Sequence, residues 1–131
     1  MIGHGPIPAI PLTQQNASLR IRSGTSAGKT FRLSKIRMVV GRNNPPMMTV
    51  DIDLAGCELD SQPTVSRRHA EIQWADSLLQ VIDLQSANGT FVDGARVRSD
   101  IPGNPSDPVN LRTGSVLIFG NVELEVVCDG M

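Results

Sequence analysis

The chain has 131 residues, room for one domain with a single sizeable core. Its 12 Lys and Arg stand against 13 Asp and Glu, a net charge of −1, which argues against nucleic acid or an anionic membrane surface, since both call for a basic excess. Aromatic residues make up 3%, too few for a single-strand stacking platform, and no apolar run approaches the roughly 20 residues of a membrane span.

Residues 1–16 carry Pro6, Pro8 and Pro11 among small side chains and are expected as an extended tail or linker, because proline fixes φ and supplies no amide hydrogen. A domain over 17–128 follows, with a short C-terminal tail over 129–131. Ser18 to Arg22 alternates apolar and polar, the period of a half-buried strand. Gly24 to Gly28 is a turn, and Lys29 to Leu33 resumes the alternation to complete a hairpin. Arg37 to Val40 is a third strand, stopped at Gly41. A polar loop with Pro45 and Pro46 leads to a short strand, Asp51 to Leu54, and a second loop ends at Val65.

Ala70 to Trp74 and Leu78 to Ile82 read as antiparallel strands joined by Ala75-Asp76-Ser77. Thr90 to Val92 runs into Asp93-Gly94, a favoured tight-turn dipeptide. Residues 99–108 hold three prolines and form a loop. Ser115 to Phe119, a Gly120-Asn121 turn and Val122 to Val126 close the chain. No amphipathic helix is visible, and short strands between frequent turn signals indicate an all-β sandwich. The expected core is Leu19, Ile21, Phe31, Leu33, Val40, Ile72, Trp74, Leu79, Val81, Val116, Ile118, Val122, Leu124 and Val126. Cys57 and Cys128 lie far apart without CxxC spacing, as expected of small, partly buried residues in a reducing, cytoplasmic setting.

Three pieces at the ends of strand-like runs belong together: Gly41-Arg42, Ser66-Arg67-Arg68-His69-Ala70, and Ser86-Ala87-Asn88-Gly89-Thr90-Phe91-Val92-Asp93-Gly94. They supply guanidiniums, hydroxyls and a carboxamide but no nucleophile with an evident base and no metal cluster. Such a set suits a doubly charged anion attached to a peptide backbone. A guanidinium fork binds two oxygens at once, and a carboxamide both donates and accepts along an extended chain.

The order and spacing of these pieces closely resemble the forkhead-associated (FHA) domain, a phosphothreonine-peptide reader, over roughly Ser18 to Val127. The resemblance implies a β-sandwich of about eleven strands in two twisted antiparallel or mixed sheets, with the binding loops at one end. The stretch Val50-Asp51-Ile52-Asp53-Leu54 is similar to bacterial members. The family pattern puts the phosphate on Arg42, Ser66 and Arg67 and the peptide backbone on Asn88, with Thr64, Ala87 and Arg68 as secondary positions. It makes Gly41, His69, Ser86, Gly89, Thr90 and Gly94 structural, His69 bracing its loop from the interior. The implied function is recruitment of a phosphothreonine-containing protein or peptide made by an upstream Ser/Thr kinase, by a monomeric domain that is not an enzyme and needs no cofactor or metal.

Two positions depart from the pattern. Ala87 stands where many members carry a hydroxyl residue, and Asp93 replaces an asparagine, so Asp93 is expected to face away or to be neutralised by Arg42, Arg67 or Arg96. These departures motivate an alternative, a phosphorylation-independent FHA-fold scaffold or oligomerisation module of a larger protein. Hydrolysis at Ser66 and His69 is a weaker alternative, because no strand–turn–helix elbow surrounds the serine and the other histidine, His4, lies in the tail. Gly24 to Thr30 ends like a P-loop in Gly-Lys-Thr, but three residues separate its glycines where Walker A requires four, and a strand follows instead of a helix.

Overall fold

Period-two apolar patterning is satisfied by strands with one face turned inward, and the described residues form eleven strands. The computed structural model describes residues 10–43, 49–59 and 63–129. Pro6, Pro8, His4, Pro45 and Pro46 fall outside the described residues, as do residues 130 and 131 of the expected C-terminal tail. The strands are β1 (Ala17–Ile21), β2 (Thr30–Arg32), β3 (Arg37–Gly41), β4 (Ile52–Asp53), β5 (Ala70–Ala75) and β6 (Leu78–Asp83). They continue with β7 (Thr90–Val92), β8 (Ala95–Arg96), β9 (Val109–Leu111), β10 (Val116–Phe119) and β11 (Val122–Cys128).

A six-stranded sheet runs β2-β1-β11-β10-β7-β8 and a five-stranded sheet runs β4-β3-β5-β6-β9. All pairs are antiparallel except β3 with β4, where Val40 lies opposite Ile52. Leu19, Ile21, Leu117, Phe119, Leu124 and Val126 of the first sheet face Met38, Val40, Ile72, Leu79 and Val81 of the second, all buried. Each such side chain contributes about 1.5–3 kcal/mol by leaving water. Cys57 is buried, Cys128 is partly exposed, and both are free. No helix among the described residues is long and apolar enough to cross a membrane.

The expected core is shifted by one residue in β10. Leu117 and Phe119 are fully buried, whereas Val116 and Ile118, expected inside, lie on the outer face. The run Val-Leu-Ile-Phe is apolar throughout, so alternation cannot phase it. Pairing decides, because Leu117 lies opposite Leu124 and Phe119 opposite Val122 on the inner face. Phe31 and Trp74 flank the core instead of filling it. Trp74 keeps its indole near the boundary, where Nε1–H donates to the Leu33 carbonyl at 2.8 Å.

Strands β8 and β9 carry too few residues to show a period. Each is defined by its partner, β7 and β6 respectively. In the lead-in, Leu12 packs against the core, Asn16 Nδ2 donates to Pro11 O at 3.0 Å, and Gln14 Nε2 donates to Ser34 O at 2.8 Å.

The β5–β6 hairpin turns on Asp76 and Ser77, at φ 51° and 70°, the mirror-image turn that matches strand twist. It marks the end of the sandwich opposite the three motif-bearing loops.

Candidate functional site

Three segments converge at one end: the exit of β3, the loop over 63–69 that enters β5, and the loop over 84–89 between β6 and β7. Their sequence dictates a close fit. A Cβ on Gly41 would lie 1.9 Å from the Arg67 carbonyl oxygen, so only glycine lets the second loop cross the end of β3. On the other side a Cβ on Gly120, at φ +62°, would lie 2.6 Å from the Thr64 oxygen. The loop carrying Ser66 is therefore gripped between two glycines. Arg42 N–H donates to Arg67 O at 3.2 Å, and Arg42 Nε donates to Val65 O. The terminal guanidinium nitrogens of Arg42 make no hydrogen bond among the described residues.

His69 is fully buried and joins the two loops. Its Nδ1 accepts from Ser66 N–H at 3.0 Å, which fixes the proton on Nε2, and Nε2 donates to Gly89 O at 2.8 Å. The ring meets Phe119 edge-on with centroids 5.7 Å apart. Burial holds its pKa below the ordinary 6.5, against the opposing pull of the Gly89 carbonyl and the Asp83 charge. Because Nδ1 serves the backbone of Ser66 and not its hydroxyl, the pair is not arranged as nucleophile and base.

Ser66 Oγ accepts from Ala87 N–H at 3.0 Å and keeps its own proton for donation. Asn88 Nδ2 donates to Thr64 O at 2.8 Å, leaving one N–H and the carbonyl oxygen of its side chain. Arg67 and Arg68 are both exposed, and neither is in an ion pair among the described residues. Thr64, a secondary position in the family pattern, spends its hydroxyl on the β10–β11 turn: Oγ1 donates to Asn121 Oδ1 at 3.0 Å and accepts from Asn121 N–H at 3.1 Å.

Asp83, which carries no motif of its own in the sequence, is the hub of the third segment. Its carboxylate accepts from Ser86 Oγ at 2.6 Å, Ser86 N–H at 3.1 Å and Thr90 Oγ1 at 2.7 Å. Ser86 Oγ in turn accepts from Gly89 N–H at 2.9 Å. Thr90 is buried and begins β7, and Ser86 ties down the Asn88-Gly89 turn. The available signal was an acidic residue at a strand end, followed by hydroxyl residues at intervals of three and seven. Asp93 faces away: its Oδ1 accepts from Val116 N–H at 2.9 Å, at a β7–β8 turn where Asp93 and Gly94 have φ of 48° and 87°.

A two-sheet sandwich with a histidine-locked, guanidinium-bearing loop end is a module built to hold a ligand at its rim. Residues 38–120, more than half of the chain, match the family model of the FHA domain, and the chain belongs to that family. It is 30% identical over 128 residues to an oxoglutarate dehydrogenase inhibitor of Corynebacterium efficiens, covering 95% of this chain and 77% of that one. It is 33% identical over 93 residues to the glycogen accumulation regulator GarA of Mycolicibacterium smegmatis, covering 71% of this chain and 52% of GarA.

Among solved structures, an FHA domain from work on phosphothreonine-dependent FHA interactions matches with a TM-score of 0.65 at 27% identity, over 88% of this chain and 99% of that one. The FhaA FHA domain, solved in complex with the intracellular domain of another protein, matches with a TM-score of 0.58 at 26% identity, over 84% of this chain and 98% of that one.

Proposed function

We propose that this chain is a phosphothreonine-peptide binding module that recruits a partner phosphorylated by a Ser/Thr kinase, acting in the cytoplasm as a monomeric domain. One observation carries the assignment to residues: Arg42, Ser66, Arg67 and Asn88, dispersed over 47 positions of sequence, emerge from three segments that are hydrogen-bonded directly to one another. Arg42 and Arg67 supply charge for a dianionic phosphate, and the Ser66 hydroxyl adds a donor. Asn88 offers donor and acceptor to the backbone beyond the phosphothreonine. Binding, not turnover, suits a site where Ser66 and His69 are both committed to holding loops.

A site of a few exposed charge-assisted hydrogen bonds implies micromolar affinity, about 7–9 kcal/mol, that weakens with salt. The test is a titration of a degenerate phosphothreonine peptide library, with phosphoserine and unphosphorylated controls, against the parent and Arg42→Ala. Saturable binding that needs both the phosphate and Arg42 supports the reader. A folded parent that binds no phosphopeptide, yet still captures a phosphatase-treated native partner, would replace it with the scaffold reading that Ala87 motivates.

A further inference from the structure

Beside the candidate phosphate site, the loop over 84–89 and the chain from β8 through residue 106 enclose an open groove of about 520 Å³. Its charged lining consists of Asp83, Arg96 and Arg98. The Asp83 carboxylate already accepts three hydrogen bonds from Ser86 and Thr90, whereas neither arginine is in an ion pair among the described residues. The exposed Asp100 and Asp107, the latter with its N–H on Arg98 O at 3.2 Å, lie on the same loop but do not line the groove. What the groove offers a ligand is therefore cationic.

The groove is preformed, and Arg96 of its lining reaches Gly89, the residue after Asn88. Its two walls are tied by Ser106 N–H to Asp83 O at 3.0 Å, Asp83 N–H to Ser106 Oγ at 2.8 Å, and Gln85 Nε2 to Gly103 O. Gln85 holds a left-handed backbone at φ 61°, uncommon for a residue with a side chain. Arg96 lies across Gly89, the residue after Asn88: a Cβ placed there would be 3.1 Å from the guanidinium carbon. Its guanidinium also sits 6.0 Å from the centre of the Phe91 ring, on the residue paired with it across β7 and β8. A ligand backbone held by Asn88 thus has a positioned guanidinium as its next neighbour, with Arg98 beyond.

We infer that Arg96 and Arg98 select an anionic side chain on the ligand peptide, C-terminal to the phosphothreonine. This rests on the phosphothreonine reading and adds a charge preference to it. The shared chemistry is an anion that a guanidinium fork can accept, either a carboxylate or a second phosphate.

The experiment is an anisotropy titration of phosphothreonine peptides with Ala throughout positions +1 to +5, against series carrying one Asp or one phosphoserine at each position. The parent, Arg96→Ala and Arg98→Glu are compared, with melting curves to confirm folding. One position should bind about three- to tenfold tighter with Asp than with Ala, the range expected of one partly exposed charge pair with a guanidinium fork. A larger gain with phosphoserine at that position would assign the groove to a second phosphate, and an equal or smaller gain to a carboxylate. Arg98→Glu should erase the preference while leaving affinity for the all-Ala phosphopeptide within about twofold. Equal affinity of the parent for every series, or a preference that survives in both variants, overturns the inference while leaving the reader intact. Failure of every phosphothreonine peptide to bind the folded parent removes the reader and this inference together.

Discussion

His69 and Arg67 are two residues apart, yet one is fully buried with both ring nitrogens engaged and the other is exposed with no ion pair among the described residues. In the neighbouring segments Asp83 and Arg42 are both half-buried, but the Asp83 carboxylate accepts three hydrogen bonds whereas the terminal guanidinium nitrogens of Arg42 make none among the described residues. Interior polar groups place the loops, and the rim cations are those assigned to the ligand in the proposed function. A buried donor left unsatisfied costs more than a hydrogen bond contributes, so the interior set governs stability. Exposed charges add little to folding and a great deal to capturing a phosphate, so on the proposed reading the rim set governs affinity.

The division breaks most severely at Gly41. Gly41→Ala drives a methyl into the Arg67 backbone and should cost about 3 kcal/mol or more, read as a lowered urea midpoint, with the loss of phosphopeptide binding. Unaltered stability would show that the second loop yields freely. His69→Ala leaves Ser66 N–H without a partner and Gly89 O with only the long bond from Gly120 N–H at 3.3 Å, and should cost about 2–4 kcal/mol. Arg42→Ala is the converse test: stability within about 0.5 kcal/mol of the parent, and phosphopeptide affinity lowered at least about tenfold. A variant that melts early and binds normally would reverse the roles assigned to rim and interior.

Acid sharpens the same contrast. Protonating His69 would set an Nδ1–H against the Ser66 N–H, two donors facing each other. Its folded pKa lies below 6.5, so the unfolded chain takes up the proton first. The contribution of His69 is complete above about pH 6.5 and is lost as pH falls toward the folded value, at no more than about 1.4 kcal/mol per pH unit. Denaturant midpoints measured from pH 7.5 down to 5 should show this slope in the parent and not in His69→Gln.

The smallest effect belongs to a surface pair far from these loops. Lys35 donates to Asp51 at 2.8 Å and, with the Val39 amide, holds that carboxyl below its ordinary range. Lys35→Ala should cost about 0.5 kcal/mol or less and leave phosphopeptide affinity unchanged.

Sequence by itself determined the class of the fold and nominated the residues of the candidate site. Alternation in residues 18–22, 70–74 and 78–82 can be buried only as strands, and the three motif pieces are short enough to be recognised without knowing where they meet. It could not phase Val116 to Phe119, because a run apolar at every position has two equivalent registers until β11 selects one. Nor could it disclose Asp83, whose importance comes from three donors that fold onto it, or the Arg96 and Arg98 groove. That groove exists only because β8 pairs with β7 and residue 106 is bonded back to the end of β6. Local pattern is a property of neighbours in the chain; convergence at the loop end is a property of neighbours in space, and tertiary packing alone decides it.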